Sequence, residues 1–285
     1  MGKRIAGINL AKNGSLVILQ DGEIEFYLEE ERVTRTKRDI SAKTLADKYI
    51  DSSIDALTIC DCFTRYTRQT YLERTRAKNE LCKIARSRGC LSIVDYRDRH
   101  HECHAASAFY NSGFDDAVCV VMDGKGSYYT DDSVAQTEGY ESAGVQLRYA
   151  EIESIYDYSG EFIPLFKHYS TFWNEDECEL LDEPYWYKGN LYSDRTSVGQ
   201  AFRRVSRYCN FDEIEAGKTM GLSAYGHSAT PTDLFVEEYN HSLCSKDLYA
   251  SGNTTEYHGT AYRPEDLAYR LQKSAEKHAI FMIKK

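Results

Sequence analysis

The chain has 285 residues, of which 42 % are hydrophobic and 28 % are charged, a composition typical of a soluble globular protein. Its formal net charge of −10 argues against a broad surface for DNA or RNA, although it allows a local basic pocket for one nucleotide. No apolar stretch approaches the roughly 20 residues that span a bilayer. Nine cysteines without a Cys-x-x-Cys pair favour free thiols in a reducing compartment. We therefore expect a cytoplasmic protein without a membrane partner.

The first 95 residues alternate between apolar strand patterns and helical patterns. Asp21-Gly22, between two strand patterns, predicts a tight hairpin turn. Ser41 belongs to a residue type that caps helices, so we expect a helix to begin there. The predicted strands are residues 4–9, 15–19, 23–28, 56–60 and 91–95, and the predicted helices are residues 41–50 and 71–88.

A helical pattern then begins at His100, and an apolar strand over residues 117–122 ends at Asp123. Because a helix turns by about 100° per residue, His100 and His104 project from one face, whereas His101 is expected to pack elsewhere. Two imidazoles and a carboxylate are suitable ligands for iron, manganese or zinc. The alternative is that both histidines are ordinary helix residues.

Beyond Asp123 the pattern turns to strands and then to helices. Strands that alternate with crossover helices predict an α/β fold in which at least part of the sheet is parallel. The aromatic and acidic stretch 156–193 has no clear periodicity and predicts an irregular insertion. Residues 217–222 predict a glycine-rich turn. Further predicted strands are residues 128–137 and 145–155, and further predicted helices are residues 197–208 and 264–285.

Five motifs follow one another along the chain. They are Gly7-Ile8-Asn9 with Gly14-Ser15 and Asp21-Gly22, Glu30-Glu31-Arg32-Val33-Thr34-Arg35-Thr36-Lys37, His100-His101-x-x-His104-Ala-Ala-Ser-Ala-Phe, Asp123-Gly124-x-Gly126, and Ser197-Val198-Gly199 with Gly217-Lys218-x-Met220-Gly221-Leu222. In this order and spacing they resemble the O-carbamoyltransferases, the family of the nodulation and tobramycin carbamoyltransferases. The resemblance covers nearly the whole chain, as the N-terminal half of such an enzyme.

The resemblance implies an actin/hexokinase-like (RNase H-like) nucleotide-binding fold, related to the enzymes that place threonylcarbamoyl on tRNA. On this basis residues 1–155 form a first lobe with the metal motif. Residues 156–196 form the aromatic and acidic insertion. Residues 197–285 form the start of a second lobe that is apparently truncated.

The resemblance also implies an activity, the transfer of a carbamoyl group from carbamoyl-adenylate to a hydroxyl of a small-molecule or nucleoside-like acceptor. A divalent transition metal, with iron expected and manganese or zinc as alternatives, would be held by His100, His104 and Asp123. In the family a C-terminal half makes carbamoyl-adenylate from carbamoyl phosphate and ATP. We therefore expect a second polypeptide, or a missing C-terminal half, to complete the enzyme.

Further site residues are predicted from the same motifs. Lys37 and His100 are the candidate catalytic residues. The candidates for binding ATP or carbamoyl-adenylate are Asn9, Lys12, Gly124, Gly126, Ser127, Gly217, Lys218 and Gly221. Glycine-rich turns let backbone N–H groups approach phosphate oxygens, and lysines supply point charges. For Lys37 and Lys218 the alternative is a solvated surface lysine.

The chain also departs from the family pattern. Lys12-Asn13 stands where the family carries His-Asp, so acid–base chemistry is not expected there, although Lys12 could hold an anionic ligand. In the family a fourth metal ligand, an aspartate, follows the region matched by the last helix. Two other functions therefore stay open: a non-catalytic metal-binding, nucleotide-binding or regulatory relative, and a metal-dependent hydrolase acting on a phosphate substrate.

Overall fold

A computed structural model places two compact units, Met1–Cys103 and His104–Lys285. The described residues are 2–10, 13–61, 68–90, 92–129, 149–171, 183–227, 233–244 and 262–285. Lys12 and most of the strand predicted over residues 128–137 lie outside them. Both units combine sheets with helices, so the prediction of an α/β protein is confirmed at that level.

Unit 1 is built on a mixed five-stranded sheet with the order β3-β2-β1-β4-β5. Its strands are β1 (Arg4–Asn9), β2 (Ser15–Gln20), β3 (Glu23–Glu29), β4 (Ala56–Cys60) and β5 (Ser92–Asp95). The β1–β4 and β4–β5 pairs are parallel and the other pairs antiparallel, as expected where helical crossovers separate strands. The helices are α1 (Glu30–Thr34), α2 (Lys43–Tyr49) and α3 (Arg68–Ser87).

The hairpin between β2 and β3 follows directly from its turn residues. Asp21 and Gly22 both have positive φ angles, of 54° and 91°. A two-residue turn with positive φ at both positions matches the right-handed twist of the strands. Alternate residues of β1, β2 and β4, among them Ile8, Leu16 and Leu57, then point into one core.

A buried carboxylate, rather than Ser41, satisfies the start of α2. The residue at the N-cap position is Ala42, which makes no side-chain cap hydrogen bond. Glu30 is fully buried and accepts hydrogen bonds from the backbone N–H groups of Thr44 (2.8 Å) and Leu45 (3.0 Å). The prediction that Ser41 begins this helix was therefore wrong, because a carboxylate distant in sequence takes the role of the cap.

Unit 2 contains a six-stranded sheet with the order β10-β11-β9-β8-β6, and β7 also pairs with β8. The strands are β6 (Ala117–Met122), β7 (Tyr128–Tyr129), β8 (Tyr149–Tyr158), β9 (Phe162–Ser170), β10 (Tyr185–Tyr187) and β11 (Asn190–Ser193), with a separate hairpin of β12 (Phe235–Glu238) and β13 (His241–Cys244). The β9–β11 pair is parallel and the other pairs are antiparallel.

The remaining helices are α4 (His100–Tyr110), which continues across the division between the units, α5 (Val198–Tyr208), α6 (Ala216–Leu222) and α7 (Pro264–Lys284). Helices α5 and α7 share an apolar core that includes Phe202, Val205 and Leu271. Within the described part of the chain, no helix combines the length and apolar composition needed to cross a bilayer.

The prediction of an irregular insertion over residues 156–196 was wrong for the described part of that stretch. Strands β9, β10 and β11 lie within it, and the predicted boundary at residue 155 falls inside the continuous strand β8. The first eight residues of β8 are buried on both faces, including Glu151 and Glu153. Burial on both faces removes the alternation of polar and apolar residues that identifies a half-exposed strand.

Replacement of Glu30 tests its role at the start of α2. We expect Glu30→Ala to lower the free energy of unfolding by about 2 kcal/mol, because the buried N–H of Leu45 and the part-buried N–H of Thr44 lose their acceptor. Glu30→Gln should cost less, since its amide oxygen still accepts one hydrogen bond. Urea denaturation monitored by circular dichroism measures the difference. The exposed Glu23 provides the control, and an equal loss in Glu23→Ala would contradict the capping role.

Candidate metal centre

Helix α4 buries one of its faces, and His100 and His104 lie outside this buried face. His101, Ala105 and Phe109 are buried at spacings of four residues, so the packing role predicted for His101 is confirmed. His100 is half-buried and His104 is exposed. The division between the units falls inside α4, and the continuous helix places His100 one turn before His104.

Asp123, the third residue of the centre, directly follows strand β6. The backbone N–H of Asp123 donates to the carbonyl of Ile152 at 3.0 Å, so Asp123 is held at the point where β6 leaves the sheet. Its Oδ1 accepts a hydrogen bond from the N–H of Gly124 at 2.6 Å. This short contact fixes the direction of the carboxylate.

Candidate ligand atoms of His100, His104 and Asp123 all lie within 4.8 Å of one another. Two imidazole nitrogens and a carboxylate oxygen form a donor set that fits a first-row divalent ion such as iron, manganese or zinc. His104 and Asp123 also line a cavity of about 390 Å³ between α4 and β6. Apolar side chains such as Phe109 and Val120 form much of its wall.

The start of α5 packs against the turn that follows Asp123. Ser197 caps this helix by accepting from the N–H of Gln200 at 3.1 Å, and its hydroxyl donates to the carbonyl of Gly124 at 2.7 Å. Gly199 lies against Gly124 so closely that a Cβ at position 199 would sit 2.5 Å from the Cα of Gly124. Ser197 and Gly199 belong to one of the five sequence motifs, but the motif alone does not indicate that they support Asp123.

The first predicted nucleotide turn makes hydrogen bonds within the fold. The N–H of Gly126 donates to the carbonyl of Glu151 at 2.7 Å, and the N–H of Gly124 is held by Asp123. Ser127 is buried, and its carbonyl accepts from the N–H of Glu151 at 3.0 Å. In this arrangement both glycine N–H groups donate within the fold, and the binding of nucleotide by these residues stays a prediction.

The second predicted turn is a helix. Gly217, Lys218 and Gly221 all lie in α6, and neither glycine has a positive φ angle. The ammonium of Lys218 pairs with the carboxylate of Glu215 at 2.8 Å on an exposed face. The turn prediction was wrong because two glycines suggested a loop, whereas the helix is secured by its packing on α5 and α7.

The other predicted residues belong to unit 1 or lie outside the described residues. Asn9 ends β1, and its amide donates to the carbonyl of Asn13 at 3.4 Å. Lys37 is exposed in the turn that follows α1. Lys12 lies outside the described residues. Their catalytic and binding roles stay predictions.

Two thiols lie close to His100, and sequence reasoning did not pair them. A hydrogen bond from Cys103 lowers the pKa of Cys60, opposed by burial and assisted by the charge of His100. The same contact, together with burial, raises the pKa of Cys103. Cys60 ends β4 and Cys103 lies on α4, so the pair is formed by tertiary structure and leaves no motif in the sequence.

Substitution of Gly199 tests whether its contact with Gly124 positions Asp123. In Gly199→Ala the new Cβ would overlap backbone atoms that cannot move aside as a side chain can. We expect a loss of about 1–3 kcal/mol in unfolding free energy and weaker metal binding. The matched control is Gly217→Ala, where a Cβ meets nothing within 4 Å, so that helix should become slightly more stable. Denaturation and metal analysis measure both effects, and equal behaviour of the two variants would contradict this role.

Comparison with known proteins identifies the family of the chain. Residues 48–280 match the model of the family described as the carbamoyltransferase N-terminus. The match includes the whole of α4, Asp123 and the start of α5. No curated protein sequence matches the chain. Because the family model extends over most of its length, the chain belongs to the carbamoyltransferase N-terminal family.

Proposed function

We propose that the chain is the carbamoyl-transferring part of an O-carbamoyltransferase. The proposal rests on one observation: candidate ligand atoms of His100, His104 and Asp123 lie within 4.8 Å of one another, in a chain of the carbamoyltransferase N-terminal family. Membership of the family supports carbamoyl transfer in general. The donor set and its position beside a cavity support the placement of that reaction at this centre.

In this proposal the two imidazoles and the carboxylate hold a divalent metal, with iron expected. When bound, the metal would neutralise charge on a phosphate and polarise the carbonyl of a carbamoyl group. The part played by the protein is to fix the ligands before substrate arrives. Helix α4 fixes the two imidazoles, and the hydrogen bonds to Gly124 and Ile152 fix the carboxylate.

The cavity beside His104 and Asp123 is proposed as the place of the reacting groups. Its volume of about 390 Å³ lies within the range of small-molecule sites. The apolar side chains on its wall would reduce access of water, which competes with the acceptor hydroxyl for the carbamoyl group. The acceptor is therefore proposed to be a hydroxyl of a small molecule or a nucleoside-like compound.

The donor in this proposal is carbamoyl-adenylate. Its synthesis from carbamoyl phosphate and ATP is assigned to a separate part of the enzyme or a second polypeptide, following the resemblance to the O-carbamoyltransferases. An actin-like nucleotide-binding fold belongs to the same proposal. The mixed five-stranded sheet of unit 1 is compatible with that fold.

The proposal is tested with carbamoyl-adenylate generated in the assay by a separate adenylate-forming domain. Release of AMP should require both the chain and an acceptor hydroxyl. His104→Ala should lower this rate on the order of a hundredfold or more and remove the metal of this centre, because one imidazole ligand is lost.

His227→Ala serves as the matched control, since His227 is an exposed imidazole outside the centre. This variant should keep both metal and rate. Equal metal content in His104→Ala and the intact chain, with equal acceptor-dependent release of AMP, would refute the proposal.

A further inference from the structure

A second group of histidines lies in the interior of unit 2. Its residues belong to other helices and strands than those of the candidate metal centre. It consists of Glu153 on β8, His168 on β9, His241 on β13 and His278 on α7. None of these four side chains is more than 3 % exposed. Four separate elements thus bring three imidazoles to one buried carboxylate.

The contacts within this group are short and converge on one carboxylate. Glu153 Oε2 lies 2.9 Å from His168 Nδ1 and 2.9 Å from His241 Nε2. The other oxygen, Oε1, lies 2.5 Å from His278 Nε2. A tetrahedral zinc ion would hold such donor atoms about 3.3 Å apart. Candidate ligand atoms of Glu153, His168 and His241 all lie within 4.8 Å of one another, and a movement of His278 would complete the set.

Apolar and aromatic side chains surround the group. The ring of Phe235 stacks on His278 with 4.8 Å between centroids, and Phe166 lies 5.2 Å from the ring of His241. An isolated carboxylate in such a place would be strongly unfavourable unless its charge were compensated. The surroundings thus favour either a complete set of hydrogen bonds or a bound cation.

Burial and hydrogen bonds act in opposite directions on the titration of this group. Burial would raise the pKa of Glu153, yet the charge of His278 and the hydrogen bonds from His168 and His241 hold it well below its ordinary value. Burial lowers the pKa of His241 to about 4, against the hydrogen bond with Glu153. A metal ion would bind the carboxylate and the imidazoles in their deprotonated forms, so its uptake would release any protons held within the group.

Two neighbours contact the outer nitrogens of the imidazoles. The hydroxyl of Ser193 lies 2.7 Å from His168 Nε2, as is common for a histidine that binds a metal through its other nitrogen. The ammonium of Lys285 lies 3.2 Å from His241 Nδ1 and opposes the entry of a cation. Burial lowers the pKa of Lys285, against the charge of Glu153.

We propose that Glu153, His168, His241 and His278 form a second, structural zinc site that joins β8, β9, β13 and α7. Three imidazoles and one carboxylate supply the four ligands of a tetrahedral ion, and their burial leaves no position open for substrate. The role of the ion is therefore structural. The proposal is independent of carbamoyl transfer and of the centre at His104.

The experiment uses the His104→Ala chain, so that the first centre cannot supply the metal. After reconstitution with Zn²⁺ and removal of free ions, mass spectrometry should find one zinc per chain. A second substitution in this chain, His241→Ala, should reduce the zinc content at least tenfold. The control substitution His227→Ala, introduced in the same way, should leave one zinc bound. Cobalt in place of zinc should give the strong visible absorption of a four-coordinate ion.

A thermal measurement on the His104→Ala chain alone covers the case in which His241→Ala does not fold. Zinc should raise its Tm on the order of 5 °C, and a chelator should reverse the increase. Absence of tightly bound zinc, with a Tm unaffected by zinc and chelator, would show a metal-free hydrogen-bonded group and overturn the proposal. If the chain with both His104→Ala and His241→Ala still bound one zinc at full affinity, the assignment of the zinc ligands would be overturned.

Discussion

The pairing of strand β8 along both of its edges is the constraint on which the rest of the unit 2 sheet depends. Its first eight residues are buried, and buried backbone groups must find hydrogen-bond partners within the protein. Strands β6, β7 and β9 pair with it, and the segment after β6 continues the pairing through Asp123 and Gly126. The same strand carries Glu153. The candidate metal centre and the buried histidine group are thus both positioned from β8.

Much of unit 1 could be predicted because its strands have one polar and one apolar side, or lie next to an unambiguous turn. The Asp21-Gly22 hairpin and the buried strand β4 follow from local chemistry. The cap of α2 could not be predicted. Its acceptor, Glu30, lies 14 residues before Thr44, and a glutamate in the sequence gives no sign that folding will bury it.

The residues of the candidate site also fall into those that the sequence predicts and those that it does not. His100 and His104 could be found because the helical period places them on one face, and Asp123 because an apolar strand ends there. Gly199 lies more than seventy residues from Gly124, and their contact depends on the packing of α5. Glu153 and its three histidines come from four elements, and two of these, β8 and β9, lie in or beside stretches whose aromatic and charged residues hide the strand period.

The burial of Glu30 has a consequence for the order in which unit 1 folds. A seven-residue helix has little stability by itself, so α2 depends on contacts from outside its own sequence. Its acceptor stands at the end of the β2–β3 hairpin, and closing a loop of this length is fast. We therefore expect α2 to become stable only when the hairpin has placed Glu30, so that the helix and the sheet of unit 1 form together.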